Sequence, residues 1–198
     1  MSGCMSGLLL GVEQLYNQSR YNFGMNTFSS SLSIGCTGAT ALGEIWVAAS
    51  SAGVIALEFP SSREKFTAAL EKRFGAPVEF APEKVSVALE QIRQYLAGIR
   101  CEFSLPIDWS GMRPFQQEAL RETLKIPCGQ TRTYGDLAAA LGKPRAARAV
   151  GRAEATNPLP LVIPCHRVLG SDGKLHGYGA GEGLPTKTWL LNLERANT

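Results

Sequence analysis

The chain has 198 residues, 44% of them hydrophobic and 19% charged, enough apolar material for one large core or two small ones. No apolar run approaches the roughly 18 residues a spanning helix needs, and the start lacks the basic stretch and long apolar segment of a secretory signal, so the expectation is no membrane contact and a place in the cytoplasm, or in the nucleus of a nucleated cell. The formal net charge of +3 is too small to identify a polyanionic partner, although Arg132, Lys143, Arg145, Arg148 and Arg152 crowd into one segment that carries only Asp136 as counter-charge.

Residues 1–30 are rich in Ser, Asn and Gly, show no period, and read as an extension of uncertain order. Alternation of polar and apolar residues then predicts three strands, over 31–34, 44–48 and 54–59, turned at Leu42-Gly43 and Ser51-Ala52-Gly53. Ser61 or Ser62 can cap a helix whose inner face is Phe66, Leu70 and Phe74 and whose stop is Gly75. A second helix is predicted over 85–97, with Leu89, Ile92 and Leu96 inward. Pro106 and the Asp108-Trp109-Ser110-Gly111 run mark a break.

Beyond it, Pro114 suits the first turn of a helix because its missing N–H has no helical partner there anyway. Thr133 can cap a short helix over 134–141, and Gly142-Lys143-Pro144 turns the chain into another from Arg145 to about Glu154. Helix, short glycine-containing turn, helix is the helix-turn-helix pattern. Ala146, Ala147, Ala149, Gly151 and Ala153 make the second helix thin, with three arginines projecting from it. Leu159 to Pro164 reads as an apolar strand, Gly170 to Gly173 as a hairpin turn within a two-stranded wing over 168–176, and 186–196 as a final helix. The fold class is α/β (α+β), with an extension over 1–30, an α/β domain with an antiparallel sheet over 31–105, and a mostly helical winged-helix domain over 106–198.

Five cysteines stand at 4, 36, 101, 128 and 165. The odd number, the irregular spacing and the lack of a C-x-x-C point to reduced thiols rather than a disulfide framework. With only His166 and His176 as histidines, a Cys/His metal site is not expected, and no cofactor is. The sharpest local feature is Cys165 beside His166. A thiol attacks as thiolate, and a neighbouring base or positive charge makes it one. Taken alone, such a pair is more often a buried thiol next to a surface imidazole. Glu194 would complete a carboxylate–imidazole–thiol relay if the last helix folds back onto His166. Tyr134 and Asn157 taken singly read as a packing aromatic and a turn residue.

Together these pieces resemble one family. Ile163-Pro164-Cys165-His166-Arg167-Val168 is similar to the active-site motif of the O6-alkylguanine-DNA alkyltransferases, and the likeness runs in order through Pro114-Phe115-Gln116-Gln117, Ile126-Pro127-Cys128-Gly129, the Thr133 to Ala138 run, the Gly142 to Val150 run and Asn157-Pro158. The resemblance covers about residues 105–198 closely and 32–100 more loosely, where it implies a ribonuclease H-like α/β domain.

The resemblance implies that Cys165 accepts an alkyl group from O6 of guanine, with O4-alkylthymine a second candidate, that His166 deprotonates it through a water, and that Glu194 orients His166. Asn157 would brace the turn. Tyr134 would help rotate the phosphate and protonate or hydrogen-bond guanine N3 as the leaving group forms, and Arg148 would take the place of the flipped base. Thr133, Arg145, Ala146, Ala147 and Gly151 would face double-stranded DNA in its minor groove. Val168, Tyr178, Gly179 and Pro160 would wall the base pocket, with a loop over 179–183 longer than the family pattern. A thioether is stable, so turnover would be one, by a monomer. The rival readings are a cysteine hydrolase, which would need an oxyanion hole, and a winged-helix damage sensor that binds without reacting.

Overall fold

The alternating runs at the start of the second sequence segment do pair. In the computed structural model, which describes residues 31–197, β1 (Leu32–Cys36), β2 (Trp46–Ser50) and β3 (Gly53–Glu58) form an antiparallel meander with Ile34 opposite Ala48 and Val47 opposite Leu57. Its turns fall at Gly43 and Gly53, both at positive φ. A fourth strand, β4 (Val78–Phe80), lies parallel to β1 at the edge, giving the order β3-β2-β1-β4. At three residues it is too short for alternation to reveal. The extension expected over 1–30, and Cys4 within it, lie outside the described residues.

Each sheet face collects its own helix because successive side chains point opposite ways. α1 (Arg63–Phe74) starts at Ser62, whose side chain accepts from the Lys65 N–H, and stops at Gly75, φ 62°. Its Phe66, Leu70 and Phe74 pack with Leu32, Ile34, Trp46 and Ile55. The second expected helix is shorter at its start: a 3-10 turn, Pro82–Val85, precedes α2 (Ser86–Leu96). α2 sends Leu89, Ile92 and Tyr95 into the other face, beside Val47, Val54 and Leu57. The same cluster contains Leu120, Leu159, Ile163 and Leu190, so the two halves of the chain share one core.

In the second half α3 (Pro114–Leu124) begins at its proline, and β5 (Arg132–Thr133) runs into α4 (Tyr134–Ala140) through a reciprocal cap between Thr133 and Asp136. The helix expected from Arg145 is divided into a 3-10 turn, Pro144–Ala146, and α5 (Ala147–Ala155). The last helix, α6, is Leu184–Ala196. Three expectations need correction. Residues 159–164 are not a strand: prolines at 158, 160 and 164 fix φ and remove donors, and Leu161 takes φ 74°. The wing is not a hairpin over 168–176, since β6 (Val168–Leu169) pairs in parallel with β5 instead. The thiols are not all reduced: Cys101 and Cys128 form a disulfide, their Cα atoms 5.8 Å apart across a sequence separation of 27, because the linker and the loop after α3 converge. Cys36 and Cys165 are free.

Candidate active site

Cys165 opens a single 3-10 turn, Cys165–Arg167, that follows directly from the proline-rich segment after α5. Asn157 shapes that segment: its Nδ2 donates to the Ile163 carbonyl at 2.9 Å and to Cys165 Sγ at 3.2 Å, while its Oδ1 accepts from the Leu159 N–H at 3.0 Å. These bonds offset the cost of holding a bulky residue, Leu161, in the left-handed region. The thiol is buried, and burial, reinforced by the charge of Glu154, pushes it up to about 12 despite the Asn157 hydrogen bond and nearby Lys187. A thiol so placed needs a base.

His166 is fully buried and its Nε2 lies 2.8 Å from Glu194 Oε1 and 3.3 Å from the Tyr95 hydroxyl. Burial lowers its pKa below 6.5, only partly countered by Glu194, so the ring is neutral at neutral pH. With Nε2–H donated to the carboxylate, Nδ1 is left as an acceptor, and it has no partner among the described residues. Among those residues no hydrogen bond joins His166 directly to Cys165. Burial alone would raise the Glu194 carboxyl, but hydrogen bonds from His166 and Arg167 and the Arg167 charge hold it well below the usual carboxylate range. Arg167 donates to it from Nε at 2.9 Å and from Nη2 at 2.8 Å, Tyr95 from its hydroxyl at 2.7 Å, and Gly129 from its backbone at 3.2 Å.

In front of the thiol is a cavity of about 430 Å³ lined by Tyr134, Gly151, Glu154, Cys165, Tyr178 and Gly179, among others. The Tyr134 hydroxyl donates to the His176 carbonyl at 3.2 Å across its mouth. Gly179 is required there: a Cβ on it would stand 2.6 Å from the Ala155 carbonyl oxygen. Pro160 and Val168 do not line this cavity. Pro160 borders a separate groove against the sheet domain, and Val168 is buried with Ile126, Leu137 and Val150 because the β5–β6 pairing turns it inward. The Val168 carbonyl instead accepts from buried Lys187 Nζ at 2.6 Å. Arg145 and Arg148 are exposed, with Ala146, Ala147, Gly151 and Thr133 half-buried on the same helix pair.

Four participants escaped the sequence reading: Tyr95, Arg167, Lys187 and Glu154. A signal existed for two of them. Lys187 and Glu194 share the apolar face of α6 with Leu190 and Leu191, and Glu154 sits on the α5 face of Val150 and Ala153. An ionisable residue on an apolar face marks a buried polar site. Tyr95 comes from the other half of the chain and carried no such mark.

The fold and site define a two-domain protein that presents a buried, hydrogen-bonded cysteine beside a helix-turn-helix unit. Residues 37–109 match the ribonuclease-like domain, and residues 114–196 the DNA binding domain, of 6-O-methylguanine DNA methyltransferase. The methylated-DNA–protein-cysteine methyltransferase of Methanosarcina barkeri is 39% identical over 158 residues, 79% of this chain and 93% of that protein. The constitutive enzyme of that name from Bacillus subtilis is 48% identical over 108 residues, 54% of this chain and 64% of that protein, slightly under two thirds of its length. The crystal structure of the Mycobacterium tuberculosis O6-methylguanine methyltransferase superposes with a TM-score of 0.66 at 32% identity, covering 85% of this chain and 94% of that one; the same organism's protein in complex with DNA gives 0.68. The chain belongs to the methylated-DNA–protein-cysteine methyltransferase family.

Proposed function

We propose that the protein reverses alkylation damage in double-stranded DNA by moving a methyl or larger alkyl group from O6 of guanine to Cys165, once per molecule. The observation that carries this reading is the placement of Cys165 Sγ, held 3.2 Å from Asn157 Nδ2 in a cavity whose wall is the helix bearing Arg148. A base inside a duplex stack is out of reach of such a thiol, so it must be turned out into the cavity.

The thiol proton passes to His166 Nδ1 through a water, and Glu194 stabilises the imidazolium. Lys187 adds a positive charge near the thiolate. The S–C bond forms as the C–O6 bond breaks, the electron pair leaves with the guanine, and the guanine takes up a proton. Tyr134, at the cavity mouth, serves the base and its phosphate. Arg148 fills the stack. Thr133, Arg145, Ala146, Ala147 and Gly151 form the face laid against the minor groove, where small residues allow close approach and sequence need not be read. The thioether has no hydrolytic partner, which limits each monomer to one transfer.

Intact-protein mass spectrometry after mixing with a duplex carrying one O6-methylguanine tests this. The expected result is one methyl gained, mapped to Cys165 and absent in Cys165→Ser, with duplex binding kept. A bound duplex without any gain in mass would make the protein a damage sensor and overturn the reading.

A further inference from the structure

The cavity contains an acid that the mechanism above does not use. Glu154 is 5% exposed and lines the same space as Cys165. Its Oε1 accepts from the Thr123 hydroxyl at 2.6 Å, whereas its Oε2 is buried with no partner among the described residues. A buried carboxyl oxygen without a partner costs free energy, so a residue kept in that state points to a ligand that completes it.

Resting on the alkyl-transfer reading, we propose that Glu154 touches the flipped base and is the acid that protonates the departing guanine. In the step, Cys165 Sγ bonds the alkyl carbon, the C–O6 bond breaks with its electron pair going to the purine, and the proton on the free Glu154 oxygen moves to a ring nitrogen of the purine, leaving a carboxylate. Guanine leaves neutral, and because the protein reacts once, the acid need not be reloaded.

The surroundings favour this protonation state. Burial pushes the carboxyl up to about 7, against the pull of Thr123 and Lys187. Tyr134 from α4, Lys187 from α6 and Cys165 itself are the titratable groups that interact with it, and His176 lines the same cavity. Ionised Glu154 opposes the thiolate, since like charges in one site cannot both form freely. The neutral acid and the thiolate are therefore compatible, which is the pair of states the displacement requires. An acid near 7 is also well matched to donate at neutral pH.

Two rates on the full chain test the assignment, single-turnover transfer from an O6-methylguanine duplex and alkylation of Cys165 by iodoacetamide, which needs no proton for a leaving base. In the parent protein, transfer is expected to fall as pH rises through about 7 while the iodoacetamide rate does not. Glu154→Gln should lose that fall and transfer about a hundredfold more slowly below it, with iodoacetamide alkylation unchanged or faster, and Glu154→Asp should restore part of the pH dependence. Parent transfer without a fall near 7, or a Glu154→Gln protein as fast as the parent, would overturn the assignment. The parent comparison needs no variant. A parent protein that takes up no methyl at all would instead count against the alkyl-transfer reading.

Discussion

Glu194 shows how much one buried carboxylate can organise. It is 1% exposed, yet ionised, because His166, Arg167, Tyr95 and the Gly129 amide all point hydrogens at it. Removing one partner leaves the charge under-compensated in a dry site, and breaking such a pair typically costs about 3–5 kcal/mol. Arg167→Leu is therefore expected to lower the unfolding free energy by about that amount in urea titrations. Two other buried ionisable groups, His166 and Glu154, pull stability in opposite directions with pH. His166 has a depressed folded pKa, so its contribution is complete above 6.5 and is lost as pH falls below it. Glu154 has a raised one, so its contribution is complete below 4.5 and is lost as pH rises through about 7. Glu154→Gln should accordingly match the parent near pH 4.5 and exceed it at pH 8, by an amount on the order of 3 kcal/mol. Equal stabilities at pH 8 would mean the carboxyl is not strained by burial. The Cys-His pair was visible in the sequence. Which imidazole nitrogen faces Glu194 was not, because that depends on where a helix some thirty residues downstream packs.

At the scale of elements, α4 and α5 act as a unit. Thr133 and Asp136 cap α4 reciprocally, at 3.1 Å and 2.8 Å, and this fixes the backbone from which Tyr134 reaches the cavity. α5 then carries Arg148 on its exposed side and Glu154 on its buried side, so the proposed base displacement and the proposed proton donor would sit on different faces of one short helix. Arg148→Ala is expected to slow transfer from duplex DNA while sparing reaction with free O6-benzylguanine, which has no stack to leave. Equal losses with both substrates would remove Arg148 from the flipping step. The caps at Ser62 and Thr133, the stop at Gly75 and the start at Pro114 were legible because each acts within a few residues. The run before Cys165 misled because apolar composition suggests a strand, whereas its three prolines and the Asn157 side chain dictate a turn.

At the scale of the molecule, the site belongs to both halves of the chain. Tyr95 stands on α2 of the sheet domain and bonds Glu194 of the other, Leu57 N–H donates to the Pro158 carbonyl at 2.8 Å, and one apolar cluster runs through both. The Cys101–Cys128 disulfide ties the linker to the loop whose Gly129 contacts Glu194, and the Cys101 carbonyl accepts from Arg167. Closing a loop of this length contributes about 3–4 kcal/mol through the unfolded state. The oxidised protein should lack the mass of two hydrogens, and Cys101→Ser should lower its urea midpoint; an unchanged midpoint in the reduced protein and in Cys101→Ser would show that the link does not stabilise the site.

The sequence by itself determined the three strands of the meander, the order of helices α1 to α6, the caps and glycine turns, and Cys165 as the candidate nucleophile, because these are set by local propensity and by a motif contiguous in the chain. Only the tertiary structure decided the company that nucleophile keeps. The parallel β4 and β5–β6 pairings, the Cys101–Cys128 link, the reach of Tyr95 into the relay and the burial of Glu154 and Lys187 beside Cys165 all join residues far apart in sequence. Their electrostatics follow from lost water and from neighbours that no spacing rule encodes.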